Sequence, residues 1–368
     1  MYTPPEAPMR LIRLPRPFPM HRGGLLPEVE IAYETWGRLT PERDNAVLLF
    51  TGLSPDAHAA SSAEASRPGW WEYMVGPGKP IDTDRFFVVC ANSLGSCFGS
   101  TGPASVDPRS GRPYGVDFPE LSIEDIAVAD HALLQALEIP RLRAVVGASL
   151  GGMAALAFAS RFPDQVDNLA VLSAAAHASP FAIAIRSLQR EIIRSDPAWL
   201  AGAYPPGEGP RNGMRLARKL GLTSYRSARE WQQRFARRRL EQADPSGAEF
   251  QIEAYLEANA KKFAETFDAN CYLYLSRAMD WFDLADAEGN LDAALSAMTA
   301  RRVLVVGVES DFLFPLEQQR ALAEAFRRNG REVTFTALPS IQGHDAFLVD
   351  EARFAPVLRA FFEQLQGG

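Results

Sequence analysis

The sequence predicts an α/β protein: a mostly parallel central sheet with a block of helices inserted into it. Three observations carry that prediction. First, residues 46–53 (AVLLFTGL), 86–92 (FFVVCAN), 142–149 (LRAVVGAS) and 168–175 (NLAVLSAA) are nearly continuous apolar runs, as strands covered on both faces must be. Second, helical patterns separate these runs, the alternation that builds parallel sheets through right-handed crossovers. Third, strand signals vanish from about residue 180 to 295 and return at 302–308 (RVLVVGV) and 333–338 (VTFTAL).

Each element has a local reason. In residues 122–140 (SIEDIAVADHALLQALEIP), Ser122 can cap a helix whose positive first turn suits Glu124 and Asp125. Ile126, Ala129, Leu133 and Leu137 recur at helical spacing, and Pro140 ends the helix. A second helix is expected from GGMAALAFASRF, directly after residue 149. The inserted block reads as helices in FAIAIRSLQREII, GMRLARKLG and FQIEAYLEANAKKFAETF, and LEQQRALAEAFRRNG forms another between the last two strands. The expected division is therefore a core of residues 1–179 and 296–368, with a helical cap or lid of residues 180–295 inserted in it. Tyr272, Tyr274, Trp281 and Phe282 are expected to pack cap helices together.

Composition narrows the function. With 47% hydrophobic and 23% charged residues the chain is too apolar for disorder. Thirty-eight Lys and Arg stand against 45 Asp and Glu, a net charge of −7, which argues against a nucleic-acid partner, since binding phosphates needs a basic surface. That balance is uneven: between Ala184 and Arg239, twelve arginines and Lys219 face four acidic residues, a local excess suited to small anionic substrates. Three cysteines (Cys90, Cys97, Cys271) without a CxxC pair suggest neither a disulfide framework nor a zinc site. No run is long enough to span a bilayer, and residues 1–20 are broken by prolines, with no signal-peptide apolar region. The expectation is a soluble, cytoplasmic protein with no metal, no bound cofactor and no membrane partner.

One motif carries chemistry. Residues 147–151 (GASLG) match GxSxG between an expected strand and an expected helix. On such a turn the Ser149 hydroxyl projects as a nucleophile, and the Leu150 N–H points into the same space to stabilise an oxyanion. A base and an acid must follow in the order serine, acid, histidine. Of five histidines, His344 in SIQGHDAFLVD alone follows Ser149 with a strand-end acid between them. That acid is Glu309 or Asp311 in VESDFLFP. A second oxyanion donor is expected in the loop after the first long strand, at Leu53 N–H in TGLSPD.

With these residues placed, the chain resembles the homoserine O-acyltransferase family of α/β-hydrolase-fold enzymes. The resemblance rests on VEIAYETWGRL, GWWEYMVGPGKPIDTDRFFVVCANSLGSCFGSTGPAS, VGASLGGMAAL, FDANCYLYLSRAMDWFDL, VESDFLFP and QGHDAFLVD, between about residues 28 and 350. It implies ping-pong acyl transfer from an acyl-CoA to an amino-acid hydroxyl, and it selects Asp311 as the acid. It also implies that Arg218 and Asp345 hold the acceptor's carboxylate and ammonium, and that the protein is a homodimer joined through the cap. Within the family, TGLSPDAH and AIAIRSLQRE are similar to the serine O-succinyltransferase branch. That branch implies succinyl-CoA as co-substrate and L-serine as acceptor. Arg186 would pair the succinyl carboxylate, which is costly to bury alone. Leu53, Ser54, Pro55 and Asp56 would shape a narrower, more polar acceptor pocket for serine. The alternatives are transfer to homoserine, with an acetyl or succinyl donor, and esterase-type hydrolysis.

Overall fold

The structure, a computed structural model, describes residues 9–15, 17–242 and 247–365. The first eight residues of the proline-broken start and the last three of the expected core lie outside these. Eight strands form the main sheet: β1 (Arg10–Arg13), β2 (Glu30–Trp36), β3 (Ala46–Phe50), β4 (Phe87–Ala91), β5 (Ala144–Ala148), β6 (Asn168–Leu172), β7 (Arg302–Val308) and β8 (Glu332–Leu338). Their order is β1-β2-β4-β3-β5-β6-β7-β8. The pairs from β4 across to β8 are parallel; β2 runs antiparallel to both of its neighbours. The sheet is therefore mostly parallel.

Side chains alternate between two apolar faces, as the period of a strand requires. Leu48, Phe50 and Val145 point to one face and pack with α1 (Ile123–Ala136), α2 (Leu150–Arg161) and α9 (Leu316–Arg328), through residues such as Ile126, Met153 and Phe326. Val47, Leu49 and Val146 point to the other, where Trp71 and the α10 (Glu351–Gln364) residues Phe354, Leu358 and Phe362 cover them.

The expected strands are present; the first four end before their expected C-terminal bounds, and the last two end where expected. β3 stops at Phe50 and β6 at Leu172 because the chain there leaves the sheet to build loops above its edge. Strands β1 and β2 have no counterpart in the sequence reading. The run EIAYETW of β2 mixes polar and apolar residues, and even its Glu34 is buried. Helix α1 begins as expected. Ser122 accepts from Asp125 N, and the Asp125 carboxylate accepts from Ser122 N at 2.8 Å, forming a reciprocal capping box.

Between β6 and β7 the described residues form α3 (Pro180–Ser195), α4 (Arg211–Tyr225), α5 (Ala228–Arg234), α6 (Gln251–Thr266), α7 (Ala269–Trp281) and α8 (Leu291–Ser296). Helix α3 starts with Pro180 in the first turn and Ser179 as cap, 3.2 Å from Ala182 N. Ala182, Ile193, Met214 and Ala217 join the same apolar cluster as α1 and α2, so the inserted helices have no separate core. Tyr272 and Phe282 are buried among them, and the Tyr274 hydroxyl donates to the Phe118 carbonyl at 2.7 Å, fastening α7 to a core loop. Trp281 lies under the guanidiniums of Arg22 and Arg277. All three cysteines are free. No helix among the described residues is long and apolar enough to cross a membrane.

Replacing Ser122 by alanine removes one half of the capping box. The expected cost is about 1 kcal/mol, read as a lower urea midpoint with an unchanged slope.

Candidate active site

The loops after β3, β5, β7 and β8 all emerge at the carboxyl ends of parallel strands, where sites on such sheets assemble. Ser149 joins β5 to α2 with φ 56° and ψ −124°, a conformation rarely adopted by a residue with a side chain. Two glycines permit the turn. A Cβ on Gly147 would stand 2.0 Å from the Gly151 carbonyl oxygen, and one on Gly151 would stand 2.5 Å from that of Phe50. Close packing of helix against strand therefore demands glycine at both positions, and it drives Ser149 outward.

His344 and Asp311 meet this serine. His344 Nε2 lies 2.8 Å from Ser149 Oγ, and His344 Nδ1 lies 2.7 Å from Asp311 Oδ2. The other carboxylate oxygen, Oδ1, accepts from the N–H groups of Leu313 (2.9 Å) and Phe314 (3.1 Å). Asp311 is thus held as an acceptor, which keeps the proton on Nδ1 and leaves Nε2 free to take one from serine. All three side chains are buried, and Phe314 stacks on the imidazole with centroids 5.2 Å apart. Burial alone would lower the His344 pKa; the charge and hydrogen bond of Asp311, with help from Asp345, raise it above the ordinary value of 6.5. Glu309, the other acid weighed, is exposed.

The loop that carries His344 is braced from several sides. Ser310 Oγ donates to the Ser340 carbonyl and accepts from Gly343 N, and Ser227 Oγ donates to the Ile341 carbonyl. Gly343 has φ 68°, and a Cβ there would meet the Tyr225 carbonyl oxygen at 2.6 Å. The backbone beside His344 therefore rests directly on the end of α4.

The oxyanion candidates lie as the order of elements requires. Leu150 opens α2, where its N–H has no acceptor within the helix. Leu53 sits half-buried in the loop after β3. Asn92 Nδ2 holds the Pro55 carbonyl at 3.2 Å and Trp70 Nε1 holds that of Asp56 at 3.1 Å. The Asp56 carboxylate accepts from His58 N and pairs with Arg67 at 3.1 Å, so its charge is committed to shaping the loop. Beneath, His58 and Glu34 form a buried pair at 2.8 Å that the sequence reading missed. Burial raises the Glu34 pKa; the bond to His58 opposes the shift without cancelling it. Ser54 is half-buried in the same loop.

Cap residues face this centre. Arg218 of α4 stacks over Phe263 at 4.3 Å and over Tyr225 at 5.4 Å, and its Nε is buried without a hydrogen-bond partner. Tyr225 in turn lies beside the His344 ring, centroids 6.2 Å apart. Arg186 of α3 is buried; its Nε donates to Asp280 Oδ1 at 2.5 Å, and its Nη2 has no partner. Asp345 pairs with Arg226 Nε at 3.1 Å, an arginine the sequence reading did not single out. Many other cap cations are spent locally: Arg215 and Lys219 pair with Glu257, and Arg234 with Glu230.

Sheet order, strained serine turn and inserted helices define the α/β-hydrolase class. The family model described as alpha/beta hydrolase fold matches residues 45–350. The chain is 60% identical to a serine O-succinyltransferase of Litchfieldella anticariensis, covering 96% of this chain and 97% of that one. It is 56% identical to an L-serine/homoserine O-acetyltransferase of Streptomyces lavendulae over 98% of both. A crystal structure of homoserine O-acetyltransferase from Bacillus anthracis superposes with TM-score 0.89 at 27% identity, covering 97% of this chain and 98% of that one. The chain belongs to the alpha/beta-hydrolase family and, within it, to the amino-acid O-acyltransferases that these relatives represent.

Because His344 must be neutral to accept a proton, the acid limb of kcat/KM is expected above pH 6.5. Asp345→Asn removes a charge that raises the pKa and should move that limb to lower pH. A limb that stays in place in a pH–rate profile would contradict the assignment.

Proposed function

We propose that the protein is a serine O-succinyltransferase, moving a succinyl group from succinyl-CoA to the hydroxyl of L-serine to give O-succinyl-L-serine, a precursor for cysteine synthesis. The observation that carries the choice of donor is Arg186, a buried guanidinium whose charge is felt at His344 and whose Nη2 is unpartnered. Identity by itself leaves the donor open, because the Streptomyces relative carries an acetyltransferase name. An acetyl group has no charge to offer Arg186; a succinyl group ends in a carboxylate that a guanidinium pairs well.

The reaction follows from the geometry. Ser149 Oγ attacks the thioester carbonyl while His344 Nε2 takes its proton. Leu53 and Leu150 N–H groups stabilise the oxyanion. Collapse breaks the C–S bond, and the proton on His344 passes to the departing CoA sulfur. The succinyl group is now an ester of Ser149, its carboxylate on Arg186. L-serine then enters with its carboxylate on Arg218 and its ammonium on Asp345. His344 takes the hydroxyl proton, the serine oxygen attacks the acyl carbon, and the second collapse returns the proton to Ser149. No cofactor is required; both substrates are small molecules.

The inserted helices support transfer over hydrolysis by shielding the acyl-enzyme from water. Exposed Phe181, Ile183 and Leu188 on α3, with Leu216 on α4, support a homodimer joined through the cap. A CoA thioester as donor suits a cytoplasmic enzyme.

CoA release should be fast with succinyl-CoA plus L-serine and much slower when L-homoserine or acetyl-CoA is substituted. Faster turnover of homoserine with acetyl-CoA would overturn the reading. Ser149→Ala should cut transfer by about 10⁴-fold or more, with the circular dichroism spectrum unchanged. Sedimentation at micromolar concentration should give a dimer, and Leu188→Glu should weaken it; a monomeric parent would remove the cap interface.

A further inference from the structure

Arg186 does not stand alone. Arg190, one turn further along α3, reaches the same carboxylate on α7. Its Nη1 lies 2.7 Å from Asp280 Oδ2 and donates to Ser276 Oγ at 2.9 Å. The three side chains are 8%, 13% and 7% exposed for Arg186, Arg190 and Asp280. Neither Arg190 nor Asp280 has a role in the reaction as set out so far.

The arithmetic of charge is informative. Arg186 and Asp280 alone would make a neutral buried pair with nothing left for an anion. Arg190 shares the carboxylate and restores one positive charge to the cluster. The bonding geometry shows where that charge is available. Asp280 meets Arg186 through Nε, and the outer nitrogen Nη2 is left buried and unpartnered. Buried guanidinium donors are normally satisfied. The field of Arg186 reaches His344, and the buried Tyr272 lies in the combined field of Arg186, Arg190 and Arg218. The unsatisfied edge and the excess charge therefore sit together, within electrostatic reach of His344.

We propose that Asp280 and Arg190 are positioning residues that make Arg186 selective for an acyl donor with a terminal carboxylate: Asp280 clamps the guanidinium through Nε, and Arg190 offsets the clamp's charge. This rests on the succinyl-donor reading above and extends it to two residues that would not touch the substrate. A fixed guanidinium with a net positive surrounding binds a carboxylate without first having to break an ion pair. It offers nothing to an acyl group that lacks one.

The test compares kcat/KM for succinyl-CoA and acetyl-CoA, each with saturating L-serine, in the full-length protein. Arg190→Gln removes the offsetting charge, and Asp280→Asn releases the clamp. Each should lower the succinyl-to-acetyl ratio at least tenfold, chiefly through a higher KM for succinyl-CoA, with the KM for L-serine little changed. Arg190→Lys keeps the charge and should retain most of the ratio. An unchanged ratio in folded Arg190→Gln would overturn the proposal, as would a parallel loss of both donors. Failure of Arg190→Gln and Asp280→Asn alike to fold would do so too, by making the cluster a structural brace. If the parent protein itself shows no preference for succinyl-CoA, the donor reading fails first, and the two failures are thereby told apart.

Discussion

Everything at this site depends on a backbone held where backbones resist going. Ser149, with φ 56°, stays in the left-handed region because the strand before it and the helix after it pack too tightly to allow anything else. The contact is one of backbone against backbone: Gly147 against Gly151, and Gly151 against the end of β3. That single constraint sets the position of the hydroxyl and aims the first N–H of α2. Because Gly151 rests on Phe50, it also ties the serine to the strand that leads into the Leu53 loop. The apolar cores on both sheet faces serve this arrangement, since only a sheet buried on both sides keeps β3 and β5 from shifting relative to one another.

Electrostatics divides the labour above that turn. Asp311 is surrounded by N–H donors and buried, so its charge acts almost wholly on the imidazole. The cap supplies the opposite sign. Arg218 is stacked between aromatic rings, an arrangement that orients a guanidinium while leaving its edge available for an anion. Arg186 is oriented by a carboxylate instead. In the second half of a ping-pong succinyl transfer, two substrate carboxylates would have to be held at once, and two differently held arginines suit that demand. Both arginines come from the cation-rich stretch of residues 184–239, within an insert whose charges balance as a whole.

Much of this was legible in the chain, for reasons that differ by residue. The parallel strands announced themselves because burial on both faces leaves them almost purely apolar. Ser149 and His344 followed from element order and from the scarcity of histidines. Asp311 was not separable from Glu309 by position; the resemblance chose it, and burial distinguishes the two. Strands β1 and β2 were hidden because an antiparallel pair near the edge tolerates polar residues. The Arg190–Asp280 and His58–Glu34 pairs were invisible for another reason. Their partners come from separate elements, and nothing in a helix or loop sequence marks which charge will be buried against which. Asp280 even lies within FDANCYLYLSRAMDWFDL, quoted for its resemblance with no role attached.

The seat of Gly343 on the end of α4 has a mechanical consequence. A lid that swings freely would have to part from the loop of His344, and here the two are in direct contact. The peptide next to the base touches the last turn of the helix that carries Arg218, and Ser227 bonds the same loop. Movement of the helix that carries Arg218 would therefore disturb the loop that carries His344. Exchange of the whole insert between relatives with different acceptors would carry a hidden penalty. Unless the 225–227 turn came across in register with the histidine loop, the hybrid would bind its new substrate beside a misaligned base.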